Sequence, residues 1–194
     1  KLPKITIQLP IYNEKYVIER LFKYISELKY PKKLLQIQVL DDSDDESTEL
    51  IINLIKHYKT KGVKFDHITR ANRNGFKAGA LKNGLKSASG EFIAIFDADF
   101  IPDSNWLNKI IPYFDNKKIG LIQTRWGHIN KSYSALTKVQ AFALDIHFTL
   151  EQVGRNFKNH FMNFSLVAYF LVLHEILCYI SHFMFSFQIS LFDS

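Results

Sequence analysis

The sequence predicts an α/β fold, a mostly parallel sheet with helices on both faces. Two observations lead there. Short apolar runs of strand character alternate with longer segments whose apolar residues recur at helical spacing, and polar residues collect just past the ends of three of those runs. Such alternation buries a parallel sheet on both sides, and open sheets of this kind take their ligands beyond the carboxyl ends of the strands. The 194 residues suffice for one core, and 47 % hydrophobic against 23 % charged content argues for a folded body.

The elements follow in order. KITIQL (4–9) reads as a strand with apolar residues on both faces, ended by Pro10. Val17, Leu21, Tyr24 and Leu28 then form a helical stripe widened by Ile18, Phe22 and Ile25, and Pro31 limits that helix. LLQIQVL (34–40) is a second strand, delivering DDSDDES. Ser43, Asp44 or Asp45 is placed to cap the next helix, whose apolar face is Leu50, Ile51, Leu54, Ile55 and Tyr58. VKFDHI (63–68) is a short third strand, and a polar loop leads to a helix from about Phe76. EFIAIF (91–96) is the fourth strand, Asn105 to Phe114 a short helix weakened by Pro112, KIGLIQTRW (118–126) a fifth strand, and Ser134 to about Phe157 a longer helix.

Charge is unevenly distributed. The net charge of +6 suits an anionic partner, yet the basic residues lack aromatic interleaving or a reading helix, which argues against nucleic acid. All 25 Lys and Arg lie between Lys1 and Lys158, and the remainder is rich in Phe and Tyr. One cysteine, Cys178, excludes an internal disulfide framework and a cysteine-based zinc cluster. No signal peptide opens the sequence, which begins with Lys1 and so reads as a segment.

The polar residues past the strand ends are Asn13 and Glu14, Asp41 and Asp42, and Asp97 and Asp99. The D-x-D pair brings two mutually repelling carboxylates to the end of an apolar strand. Hard oxygen ligands suit Mg²⁺ or Mn²⁺, with phosphate oxygens and water completing the shell. Asp41 and Asp42 are placed to accept hydrogen bonds from a base or ribose, whereas Asp44 and Asp45 read as capping and solubility. Arg73 and Lys77 bracket Gly75 at a helix start, a combination that suits phosphate. There is no G-x-G-x-x-G run or P-loop, and no convincing Ser/His/Asp triad or H-x-x-x-H pair. For His128 and His147, pocket, core and surface roles stay open.

Taken together, LPIYNE (9–14), VLDDSDDES (39–47), RANRNGFKAGALKNGL (70–85), FIAIFDADFIPD (92–103), GLIQTRWGHIN (120–130) and QAFALDIHFTLEQVGRNFKNHFMNF (140–164) resemble family 2 glycosyltransferases of the GT-A fold. The resemblance covers roughly residues 2–163 and is strongest to the cellulose synthase-like, mannan and glucomannan synthase-like branch. It implies a GT-A sheet truncated at the acceptor half, and transfer of a hexose from a nucleotide-sugar donor (UDP-glucose or GDP-mannose type) to a polysaccharide or lipid acceptor, with inversion and with Mn²⁺ or Mg²⁺. It implies that Asp41 or Asp42 contacts the nucleoside, that Lys77 lies near the donor, that Asp99 is the main metal ligand, that Asp97 joins it at the metal and supports the donor sugar or ribose, and that Trp126 and His128 line the cleft. It also implies membrane association with the catalytic domain facing the cytoplasm.

The resemblance stops after NHFMNF. No GTAG, no TED carrying the aspartate base and no Q-x-x-R-W follows in the sequence given, and Glu151 is no substitute by position. The expected division is a partial donor-binding and catalytic domain at 1–163 and an apolar, aromatic-rich tail at 164–194. For the tail a shifted reading frame is the preferred reading, beside a membrane-associated segment at Phe164–Phe187 or a surface packed on the sheet. Without the base, the chain is expected to transfer poorly or not at all, and the alternative function is a non-catalytic or regulatory nucleotide-sugar binder.

Overall fold

In the computed structural model the described residues are 1–116, 119–124, 132–146 and 169–173. Strands β1 (Ile5–Ile11), β2 (Leu35–Asp41), β3 (Phe65–Thr69), β4 (Phe92–Phe96), β5 (Leu121–Gln123) and β6 (Tyr169–Leu173) form one sheet in the order β3-β2-β1-β4-β6-β5. Helices α1 (Lys15–Ser26), α2 (Ser47–Thr60), α3 (Phe76–Leu85) and α4 (Trp106–Ile110) intervene. β1 pairs in parallel with both β2 and β4, and β2 with β3, while β6 runs antiparallel to β4. The chain leaves β1 for β2 and β3 and returns on the other side as β4. The order therefore reverses between β1 and β4, which is where open α/β sheets form a crevice. The chain falls into two units, Lys1–Ile122 with Tyr169–Ser194, and Gln123–Ala168. In the second, α5 (Ala135–Ile146) starts with a reciprocal cap in which Thr137 N–H donates to Ser134 Oγ (3.2 Å) and Ser134 N–H to Thr137 Oγ1 (2.9 Å).

The predicted mixture of strands and helices holds, with differences that have physical causes. Every residue of β1 and β4 is buried, as expected for parallel strands covered on both sides. Pro10 does not end β1. The Asp42 N–H donates to Ile11 O at 3.0 Å, so the polar groups of Ile11 face β2 and those of Pro10 face the opposite side, where pairing with β4 stops at Gln8. No ladder bond is therefore asked of the missing N–H. On α1 the buried set is Ile18, Leu21, Phe22 and Ile25, and Phe22 stacks on Phe65 of β3 at 4.4 Å. The expected α2 cap at residues 43–45 is replaced by a start at Ser47, whose N–H donates to Asp45 Oδ1 at 2.8 Å. Pro112 does weaken α4, which continues as a 3-10 turn at Ile111–Asp115.

On the sheet face of Thr6, Gln8, Gln36 and Gln38, α3 is held by hydrogen bonds rather than apolar contact alone. Gln38 Nε2 donates to Gly84 O at 3.0 Å, Gln8 Nε2 to Leu81 O at 3.4 Å, and Gln36 Nε2 to Ser87 O, just past the helix, at 3.0 Å. A Cβ on Gly84 would stand 2.5 Å from Gln8 Nε2 and 2.8 Å from Leu40 Cδ2, so a larger residue here would have to displace these buried side chains. These bonds fix the carboxyl half of α3 and thereby aim its amino end at the rim.

The expectation of a membrane-associated chain is corrected. Among the described residues no helix is long and apolar enough to cross a membrane. The longest, α2, has 14 residues and carries lysines, against about 20 apolar residues for a span. Within the candidate span Phe164–Phe187, Tyr169–Leu173 is strand β6, hydrogen-bonded along β4. Those residues cannot also be turns of a spanning helix.

Candidate functional site

A cleft of about 510 Å³ opens at the carboxyl ends of β1 and β4, bounded by Pro10–Tyr12, Glu14, Asp42, Arg73, Lys77 and Asp97–Asp99. Asp42, Lys77, Asp97 and Asp99 are thus brought together as expected, from segments far apart in sequence. Asp41 is not. Its carboxylate turns into the protein, where Oδ2 lies 2.9 Å from His67 Nε2 and Oδ1 accepts the Ser43 N–H at 3.0 Å. Burial alone would raise this carboxyl, but hydrogen bonds from His67, Ser43 and Thr48 outweigh it and hold Asp41 below its ordinary value. Trp126 and His128 lie outside the described residues, as do His147 and Glu151.

The Asp41 shift gives a pH dependence of defined sign. A depressed folded-state value stabilises above the unfolded-state value and is lost as pH falls through the lowered one. Asp41→Asn is therefore expected to destabilise the chain at pH 7, with the difference from wild type vanishing as pH falls well below 4. Urea unfolding of both proteins at pH 7 and in strong acid measures it, and an equal difference at the two pH values would refute the account.

Asp42 is held by Arg70, which lies just past β3. Arg70 Nε donates to Asp42 Oδ1 at 2.7 Å and its Nη2 donates to Oδ2, a bidentate pair. Arg70 also donates to Asn74 O (2.6 Å) and Phe76 O (2.8 Å), tying the loop 70–76 to the β2 end. That loop then lies directly on α3, since a Cβ on Gly79 would stand 2.0 Å from Asn74 O. Gly75 (φ 71°) and Phe76 (φ 45°) both adopt left-handed backbone, a strained state for a bulky residue, beside the cleft. The Arg73 guanidinium lies 3.2 Å from the Tyr12 ring centroid, its Nε buried without a hydrogen-bond partner and 4.0 Å from Asp42 Oδ2.

At the β4 end, the Lys77 ammonium donates to Asp97 Oδ1. Burial raises the Asp97 carboxyl, Lys77 opposes that, and Asp99 adds to it, with a net rise. Glu14 is raised by burial and then by Asp99 and Asp97, with Lys77 opposing. Burial is the main cause of both shifts, and the neighbouring carboxylates add to it. Among the described residues no group of three or more potential metal ligands occurs. Two carboxylates nonetheless fit a hard cation of the Mg²⁺ or Mn²⁺ class, which keeps water and phosphate oxygens in its shell.

Sequence reasoning overlooked Arg70, His67 and Tyr12 as members of this neighbourhood. The strand-end rule applied to acids would have found Arg70 had it been applied to cations. Nothing in the sequence singles out His67, because its meeting with Asp41 depends on the β2–β3 register.

Residues 6–177 match the family model described as Glycosyl transferase family 2. The chain is 40 % identical over 171 residues to the probable glucomannan 4-beta-mannosyltransferase 7 of Oryza sativa subsp. japonica, covering 86 % of this chain and 29 % of that protein. It is 39 % identical over 173 residues to the glucomannan 4-beta-mannosyltransferase 1 of Cyamopsis tetragonoloba, covering 87 % and 33 %. The chain thus spans about a third or less of the length of these relatives. Among solved structures, the mannosyltransferase PcManGT from Pyrobaculum calidifontis in complex with GDP-Man and Mn²⁺ superposes with a TM-score of 0.59 at 26 % identity, covering 68 % of this chain and 37 % of that one.

Proposed function

This chain belongs to glycosyl transferase family 2, and we propose that its cleft binds a nucleoside-diphosphate hexose, of the GDP-mannose rather than the UDP-glucose type, for transfer to a polysaccharide. The observation that carries the reading is the convergence of Asp42, Arg73, Lys77, Asp97 and Asp99 on one cleft where the strand order reverses. The preference for mannose is supported by the names of the relatives and by the GDP-Man complex.

In this reading Lys77 and Arg73, beside the amino end of α3, donate to the diphosphate oxygens. Tyr12 and Asp42 meet the nucleoside, and Asp97 and Asp99 hold a divalent cation. That cation, when bound, offsets the charge that develops on the leaving diphosphate. Transfer breaks the bond from the anomeric carbon to the diphosphate and forms one to an acceptor hydroxyl oxygen, with inversion. The hydroxyl proton needs a base. The aspartate that the resemblance assigns to this task lies in a TED motif, which the sequence given does not contain. The described residues supply the donor half of the site, and donor binding is the step proposed for them.

Calorimetric titration of the 194-residue chain with GDP-mannose and UDP-glucose in Mn²⁺ tests the donor assignment. GDP-mannose is expected to bind more tightly, and an absence of binding by either sugar would remove the reading.

A further inference from the structure

Lys77 stands in the first turn of α3 (Phe76–Leu85), at the positive end of the helix macrodipole, where a cation is disfavoured. It faces Asp97, Asp99 and Glu14 across the cleft. Arg70 is bound bidentately by Asp42, so among the described lining residues Lys77 and Arg73 remain to meet an incoming anion. Lys77 is paired through its ammonium with Asp97, one of the two acids suited to a metal. Its side chain is 50 % exposed and that of Asp97 25 %, so the pair separates by rotation of a flexible stem without opening the core.

We propose that Lys77 is a stand-in cation: it neutralises Asp97 in the ligand-free chain and gives up that carboxylate to a divalent cation, transferring its own charge to the donor's phosphate oxygens. The inference rests on the donor-site reading given above and adds a coupling to it. A divalent ion shared by Asp97 and Asp99 leaves the Lys77 charge unpaired. A diphosphate alone leaves Asp97 unpaired if Lys77 moves to it. Each change is unfavourable by itself and favourable with the other, so the ion and the diphosphate bind cooperatively through one side chain. The coupling is reciprocal and is carried by an electrostatic exchange over a few ångströms.

The test is Mn²⁺ binding to the full chain, followed by loss of the free-ion electron paramagnetic resonance signal, with and without GDP. Lys77→Met is expected to bind Mn²⁺ alone about tenfold or more tighter than wild type, and to bind GDP in saturating Mn²⁺ about tenfold or more weaker. Lys77→Arg retains a cation and is expected to stay close to wild type for Mn²⁺ alone, as is Lys23→Met on α1, which changes net charge equally. Lys77→Gln repeats the measurement should Met fail to fold at this position. Equal Mn²⁺ affinity in Lys77→Met and wild type, with both still binding GDP, overturns the exchange and leaves the donor site standing. Equal tightening in Lys23→Met also overturns it, because bulk charge would then suffice. Wild type that binds neither Mn²⁺ nor GDP removes the donor-site reading and the exchange together.

Discussion

Asp99→Ala is expected to abolish Mn²⁺-dependent binding of GDP-mannose, with loss of metal affinity of roughly 100-fold or more. The reason is the economy of the donor set. Among the described residues no third protein group joins Asp97 and Asp99 in a potential metal cluster, so one carboxylate is about half of what those residues contribute. The experiment is clean because Asp99 is exposed and its carbonyl, not its carboxylate, accepts the Arg20 guanidinium at 3.2 Å. Alanine preserves that backbone contact and buries nothing new, so urea unfolding should match wild type within about 0.5 kcal/mol. Calorimetry with and without Mn²⁺ reads the effect. An unchanged metal dependence in a folded Asp99→Ala chain would sink the assignment of Asp99 as ligand.

The second large effect is on stability. Arg70→Met is expected to cost about 3 kcal/mol or more, a large part of a total stability of roughly 5–15 kcal/mol. The side chains of Arg70 and Asp42 are 14 % and 7 % exposed, so the substitution leaves a mostly desolvated carboxylate without its bidentate partner. Arg73 Nε is 4.0 Å away, beyond hydrogen-bond distance. The Asn74 and Phe76 carbonyls lose a donor at the same time, freeing the loop that rests on Gly79. Adding Asp42→Asn should recover much of the loss, since the uncompensated charge is its largest part. The midpoints of urea unfolding for the two single variants and the pair decide this. A cost for Arg70→Met below about 1 kcal/mol would show that the pair is only a surface contact.

Most of the architecture was readable from patterns that are local. The apolar-rich runs at 4–9, 34–40 and 91–96 became strands within a residue or two, because strands covered on both faces carry mostly apolar residues, and the polar exceptions in β1 and β2 have hydrogen-bond partners on the α3 side. The helix start at Phe76 was readable because Gly75 precedes it in left-handed backbone. The end of β1 was misread, since whether proline stops a strand depends on which side its missing N–H faces. Membrane association came from the resemblance, and no described helix supports a crossing.

For the site, the sequence alone indicated which segments reach the rim: the Asp41–Asp42 pair, Lys77, Asp97 and Asp99 each follow an apolar strand or open a helix, so strand-end geometry carries them there. Only the tertiary structure decided how they divide. Asp41 and Asp42 are adjacent and chemically identical, yet β2 sends one inward to His67 and the other to the cleft, as alternation along an extended chain requires. Arg70 meets Asp42 across 28 residues because the β2–β3 register sets Asp41 beside Thr69. Lys77 reaches Asp97 because α3 is pinned along its length by Gln8 of β1, which donates to Leu81 O, and Gln38 of β2, which donates to Gly84 O. Residue type and spacing fix what a strand end offers, but partners are chosen by distances between segments, and those distances exist only once the sheet has closed its register.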